Sequence, residues 1–174
     1  MTVQVGILMG SESDLEVMKG AKKTLDELGI GCELRVLSAH RTPEEAGDYA
    51  RGAEARGTKV LIAGAGLAAH LAGALVAHTT LPVIGVPLSA GTLGGLDSLL
   101  ATVQMPPGLP VATVAIGGAQ NAALLAAAIL ALSDATLAGK LKERRRQMHD
   151  KVLAADARVQ AGPAGPAGPA GEDK

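Results

Sequence analysis

The chain has no phenylalanine, no tryptophan, a single tyrosine (Tyr49) and a single cysteine (Cys32). Without aromatic platforms, a flavin, a nucleobase or single-stranded nucleic acid has little to stack on. One cysteine permits neither a disulfide nor a thiolate metal centre. The four histidines, His40, His70, His78 and His149, include no pair at the spacing that puts two ligands on one helix face, which argues against a bound metal. Charge is nearly balanced at −1, so no broad basic face is implied. The basic run Arg144-Arg145-Arg146 lies among Lys, Glu and Gln and reads as a solvated helix face. Nucleic acid is therefore not an implied partner. No apolar run reaches about 18 residues without polar interruption, and no signal peptide precedes the first apolar segment. A soluble, cytoplasmic protein with no membrane partner is expected.

What is present is small. The 174 residues are 48% hydrophobic, and Ala, Val, Leu and Ile must fill the core. Such side chains suit helices lying close on a sheet. Val3 to Met9 reads as a buried strand, and a helix follows with apolar residues at Leu15, Val17, Met18, Ala21, Leu25 and Leu28, closed by Gly29. A second strand begins at Cys32, and a helix runs from Pro43 to about Arg56, ending at Gly57. Val60 to Ala63 is a third strand, with Gly64-Ala65-Gly66 as its turn and an Ala-rich helix from about Ala68 to Ala77. Leu81 to Val86 is a fourth strand, followed by a glycine-bearing loop from Leu88 to Gly95 and a helix over Leu96 to Val103. Val111 to Ile116 is a fifth strand, then come an apolar helix, Asn121 to Leu132, and a polar one reaching about Val159 after a cap at Ser133-Asp134. Strands alternating with helices imply an α/β fold, a parallel sheet of about five strands covered on both faces. One domain is expected over residues 1–159, its last helix free to pack on a neighbouring subunit, followed by a disordered Gly-Pro-Ala tail at 160–174.

Chemistry is concentrated in three turns. Ser38-Ala39-His40-Arg41-Thr42-Pro43 joins the second strand to its helix and carries a hydroxyl, an imidazole and a guanidinium. Thr42 is a good helix cap with Glu45 three residues on, and Pro43 suits the first helical position. In an open parallel sheet, turns at the carboxyl ends of the strands bind ligands. Imidazole suits proton transfer near neutral pH, and Arg41 beside it can hold an anion. Gly10-Ser11-Glu12-Ser13-Asp14 opens the first helix, where amides and hydroxyls favour an anion and Asp14 suits ribose hydroxyls. Taken alone, Ser11, Ser13 and Asp14 read almost as well as helix caps. The Gly-Lys-Ser/Thr ending of a nucleotide-triphosphate loop is absent. Gly64-Ala65-Gly66-Leu67-Ala68-Ala69 imitates a dinucleotide fingerprint, but the next strand ends in Gly85-Val86-Pro87 without the required carboxylate. It reads instead as a turn whose amides approach a small ligand. His70 behind it reads equally as a hydrogen-bonded helix residue or a site residue, while His78 and His149 read as surface or structural residues. No Gly-x-Ser-x-Gly elbow supports a serine nucleophile.

These segments, in order, together with Ala63-Gly64-Ala65-Gly66-Leu67-Ala68-Ala69-His70-Leu71, Leu81-Pro82-Val83-Ile84-Gly85-Val86-Pro87, Asp97-Ser98-Leu99-Leu100, Val103-Gln104-Met105-Pro106 and Asn121-Ala122-Ala123-Leu124-Leu125-Ala126, resemble the catalytic subunit of bacterial phosphoribosylaminoimidazole carboxylase. Within that family the chain resembles the N5-carboxyaminoimidazole ribonucleotide mutase class over roughly residues 3–155. The resemblance implies a flavodoxin-like three-layer α-β-α sandwich, a homo-octamer, no metal or organic cofactor, and a ribonucleotide substrate of purine biosynthesis. It implies substrate-binding roles for Ser11, Asp14 and Arg41, with Ser13 in the same loop and Ser38 in the next, and a catalytic role for His40. Ala65 and Gly66 are expected beside the migrating carboxylate, with His70 orienting it. A sister class that carboxylates the aminoimidazole ribonucleotide directly carries Lys after the histidine, where this chain has Arg41. The chain departs from the family at Leu67, where Gly is usual, at Ala72, where Pro is usual, at Leu15, where an aromatic is common, and in a short Gly117-Gly118-Ala119-Gln120 loop. The competing functions are direct carboxylation and a non-catalytic sugar-phosphate-binding module of flavodoxin type.

Overall fold

The structure, a computed structural model, describes residues 2–162. Five parallel strands, β1 (Val5–Met9), β2 (Cys32–Val36), β3 (Val60–Gly66), β4 (Val83–Leu88) and β5 (Ala112–Thr113), form one sheet in the order β2-β1-β3-β4-β5. This is the flavodoxin-like order, with its switch point at β1 and β3. Six α-helices accompany it: α1 (Leu15–Leu28), α2 (Pro43–Ala53), α3 (Leu71–Val76), α4 (Leu96–Val103), α5 (Ala119–Leu130) and α6 (Ala135–Gln160). None of these helices is long and apolar enough to cross a membrane.

Two cores follow from the alternation of side chains along buried strands. Val5, Ile7, Met9, Val60, Ile62, Ile84 and Val86 face α1 and α5. Leu8, Leu61, Ala63 and Val83 face α2 and α3. Small residues let the helices close in: Ala119, Ala122, Ala123, Ala126 and Ala127 of α5 are buried against this first core. A Cβ on Gly85 of β4 would stand 3.0 Å from Val111 Cγ1 and closer still to Thr102 Cγ2, so the sheet meets its neighbours there as bare backbone. Tyr49 lies in the second core with its hydroxyl donating to Glu33 Oε1 at 2.8 Å. Burial and that carboxylate push its phenol well above the ordinary range.

Several local expectations are corrected. Gly64-Ala65-Gly66 is not a turn but the last part of β3, because Ala65 and Gly66 pair with Pro87 and Leu88 of β4. The turn is displaced to 67–70, which shortens the Ala-rich helix to Leu71–Val76. The apolar run from Val111 to Ile116 contributes only Ala112–Thr113 to the sheet, whose edge it occupies. Thr42 makes no side-chain cap on α2; its hydroxyl turns back to accept from Ser38 N at 2.8 Å and donate to Ser38 O at 3.1 Å. Pro43 does stand at the start of α2.

At the far end, Asp134 Oδ1 caps α6 by accepting from Leu137 N at 2.9 Å. Lys140 Nζ donates to Leu28 O at 2.7 Å, capping the carbonyl end of α1, and Arg144 reaches Glu27. Beyond Arg144 the helix carries Met148, Val152, Leu153 and Val159 exposed. From Pro163 onward the Gly-Pro-Ala repeat and the residues after it lie outside the described residues.

Candidate active site

Strand order decides which turns meet. With β1 between β2 and β3, the turns after all three strands rise from the same edge of the sheet. They enclose a cavity of about 510 Å³ whose wall includes Ser11, Ser13, Asp14, Ser38, His40, Arg41, Ala65, Gly66 and His70. Every site residue named from the sequence therefore lines one space. Gly10, Ala39, Leu67, Ala68, Ala69, Leu71 and Ala90 also contribute to its wall. Ala90 comes from the loop after β4; its signal in the sequence was the glycine-bearing stretch from Leu88 to Gly95.

The first turn is built from reciprocal capping. Ser11 caps the short 3-10 turn Glu12–Asp14, its Oγ accepting from Ser13 N, while Asp14 Oδ2 accepts from Ser11 N at 3.1 Å. Ser13 Oγ donates to Asp14 Oδ1 at 3.4 Å. Capping and lining the cavity are thus one arrangement. Desolvation raises the Asp14 pKa, against the opposing pull of the Ser11 and Ser13 hydrogen bonds and of Arg41.

That shift has a sign that can be measured. A carboxyl whose folded pKa is raised binds its proton more tightly folded than unfolded, so stability falls as pH rises above its ordinary value of 3.8 and stays lowered at neutral pH. Asp14→Asn keeps an oxygen for Ser11 N and removes the ionised group. Relative to the parent protein, the variant should gain stability between pH 3 and pH 7, as read by urea unfolding at both. A stability difference that stays constant across this interval would contradict the assignment.

In the second turn Ser38 is the hub. Its Oγ accepts from His40 N at 3.4 Å, Arg41 N at 3.2 Å and Arg41 Nε at 3.4 Å. Arg41 Nη2 donates to Gly10 O at 2.6 Å, tying this turn to the one after β1. The guanidinium is thereby held flat beside the hydroxyl-lined pocket.

The third turn supplies an unexpected contact. His40 Nε2 lies 2.7 Å from His70 Nδ1, with the rings nearly perpendicular at 88°. One ring must donate and the other accept, so a single proton is shared across this contact. His70 stands at the start of α3 rather than within a helix. The turn reaching it is strained: Leu67 has φ +53° and Ala69 φ +38°. That left-handed region costs a residue with a Cβ on the order of 1 kcal/mol. Strain of this kind gathers at functional sites.

A larger cavity of about 1060 Å³ lies at the amino ends of β4 and β5. Its His78 Nδ1 is 3.0 Å from Arg51 Nη1, and Arg51 also binds Asp48, so its polar groups serve one another. No group of three His, Cys, Asp or Glu side chains placed to hold a metal occurs among the described residues.

Comparison with known proteins points the same way as the geometry. Residues 4–151 match the family model described as AIR carboxylase. The N5-carboxyaminoimidazole ribonucleotide mutase of Pyrococcus abyssi is 59% identical over 145 residues, covering 83% of each chain. The mutase of the same name from Thermotoga maritima is 54% identical over 157 residues, covering 90% of this chain and 92% of that one. Among solved structures, Treponema denticola PurE superposes with a TM-score of 0.82 at 30% identity, covering 90% of this chain and 98% of its own.

Proposed function

The chain belongs to the AIR carboxylase family, and on that premise we propose that it is an isomerase of purine biosynthesis. It converts N5-carboxyaminoimidazole ribonucleotide to 4-carboxy-5-aminoimidazole ribonucleotide. The observation that carries this reading is the convergence on one cavity of a proton-sharing imidazole and a set of groups suited to a ribose phosphate.

In the proposed reaction, Ser11, Ser13, Ser38 and Arg41 hold the phosphate and Asp14 accepts from ribose hydroxyls. Protonated His40 gives its proton to the exocyclic nitrogen as the bond from that nitrogen to the carboxylate breaks, releasing carbon dioxide in the cavity. The enamine-like C4 attacks the carbon dioxide, and the electron pair of the new bond comes from the ring. Neutral His40 then removes the C4 proton, which returns it to its starting state and restores the aromatic ring. A single group serves as acid and then base because imidazole, as a class, titrates near neutral pH. Amides near Ala65 and Gly66 steady the carboxylate, and His70 orients His40 through the contact between their rings.

The same reading makes residues 1–159 one catalytic domain that assembles as a homo-octamer in the cytoplasm. The exposed apolar residues Met148, Val152, Leu153 and Val159 of α6 support its packing on a neighbouring subunit.

The test is turnover of each candidate substrate without ATP. The mutase reading expects N5-carboxyaminoimidazole ribonucleotide to be consumed efficiently and the 4-carboxy product to appear. Efficient use of aminoimidazole ribonucleotide with carbon dioxide instead would place the chain with direct carboxylases. Turnover of neither would leave a binding module.

A further inference from the structure

We infer that Ser98, which is not part of the cavity wall, is a positioning residue for the reaction. Its hydroxyl ties together the two ends of the Ser89–Gly95 loop and so fixes the wall that this loop contributes beside Gly66. The inference rests on the mutase reading above. Helix α4 is packed in reverse: its buried residues are the hydroxyl-bearing Ser98 and Thr102, while Leu96, Leu100 and Val103 are exposed. Ser98 is fully buried, at 0% exposure. A hydroxyl in such a place costs free energy unless it is bonded, and alanine would fill nearly the same volume. Packing alone therefore does not account for the serine; its bonds do.

Ser98 Oγ lies 2.8 Å from Leu88 O and 2.9 Å from Gly95 O, its one proton shared between the two carbonyls. The bond to Gly95 is local, three residues back, and is the kind that a helical serine commonly makes. The bond to Leu88 spans ten residues and joins α4 to the last residue of β4. Between these two carbonyls runs the loop, whose ends also touch: a Cβ on Gly95 would stand 3.2 Å from Ser89 Cα. Leu88 O is in turn close to the cavity. A Cβ on Gly66 would stand 3.4 Å from Leu88 O and 2.8 Å from Ala90 Cβ, and Gly66 and Ala90 both line the cavity. Contact therefore runs from the Ser98 hydroxyl through the Leu88 carbonyl to Gly66 and Ala90, with no long side chain between. In the mutase reading this is the end that steadies the migrating carboxylate, whereas Arg41 and the serines of the first two turns hold the phosphate. Loss of the Ser98 hydroxyl should disturb the first end and spare the second.

Thr102 supplies the matched control for the experiment. It is 4% exposed, and its hydroxyl donates at 2.7 Å to Ser98 O within α4, without reaching the loop. Ser98→Ala and Thr102→Val each remove one buried hydroxyl and almost no volume, and both should lower the urea midpoint. Only Ser98→Ala should slow the chemical step with the N-carboxylated ribonucleotide. Its kcat should fall about 10-fold, with KM within about two-fold of the parent, because a small displacement of a reacting group is felt in kcat. Should Ser98→Ala not fold, Ser98→Cys, whose thiol is a weak donor, should still lie about three-fold or more below the parent in kcat. A kcat within about two-fold of the parent in the folded Ser98 variants, or an equal loss in Thr102→Val, would overturn the role of Ser98 and leave the mutase reading standing. Failure of the parent protein to form the 4-carboxy product would overturn both.

Discussion

His40→Asn should lower kcat by about 10²–10⁴-fold while leaving KM and the thermal midpoint near those of the parent protein. Asparagine is polar and uncharged like the neutral imidazole, although it is too short to replace Nε2 in the 2.7 Å contact with His70. What it cannot do is carry a proton away and return it. If His40 acts only by shaping the cavity, this substitution should be mild; if it is the acid and base, the chemical step stops. The His40 side chain is exposed at the rim rather than built into either core, so the fold has little reason to respond. Steady-state kinetics with the N-carboxylated ribonucleotide checks the prediction. An unimpaired variant would remove His40 from the mechanism.

Much of this site was legible because its residues sit in turns that local chemistry specifies. Gly29 and Gly57 end their helices in the left-handed conformation that glycine tolerates, at φ +77° and +91°. The alternation of apolar runs with amphipathic segments then forces a parallel sheet. Distance was not legible. His40 and His70 are 30 residues apart, and nothing local says that they meet. Their strands are not even neighbours, since β1 lies between β2 and β3. Two strand spacings make about 9.6 Å, a gap that two facing imidazole side chains can close. The pairing therefore appears only when the strand order is known.

Where local signals misled, tertiary contacts had overridden them. Gly64-Ala65-Gly66 carries the punctuation of a turn, yet its backbone hydrogen-bonds along β4 and stays extended. A Cβ on Gly64 would meet Met18 Cγ at 3.0 Å, so glycine is needed there for close approach of α1 and not for bending. The alanines from Ala68 onward have high helix propensity, but Leu67 and Ala69 are bent into positive φ to bring His70 to the rim. Thr42 and Glu45 have the spacing of a capping box, yet the threonine hydroxyl closes the Ser38 turn instead. At Leu67, Ala69 and Thr42 the deviation shapes the turns that line the cavity. Positions where local preference loses are concentrated where the chemistry is proposed to happen.

Arg41 shows how much of the binding energy that arrangement should supply. Arg41→Ala should raise KM by about 10–100-fold, the equivalent of about 1.5–3 kcal/mol for a hydrogen bond to a charged group, with a much smaller change in kcat. The guanidinium is already committed on one side, to Gly10 O at 2.6 Å and Ser38 Oγ at 3.4 Å. Those bonds fix its plane, so its remaining N–H groups meet a phosphate without first losing rotamer freedom. Arg41→Lys keeps the charge but loses the fork and its two anchors, and it should recover only part of the lost affinity. Because the side chain is exposed, the penalty of Arg41→Ala should shrink as salt is raised and the phosphate is screened. Substrate titrations at low and high ionic strength read both effects. A loss confined to kcat, with KM and its salt dependence unchanged, would mean that Arg41 serves the transfer of the carboxyl group and that the phosphate is held elsewhere.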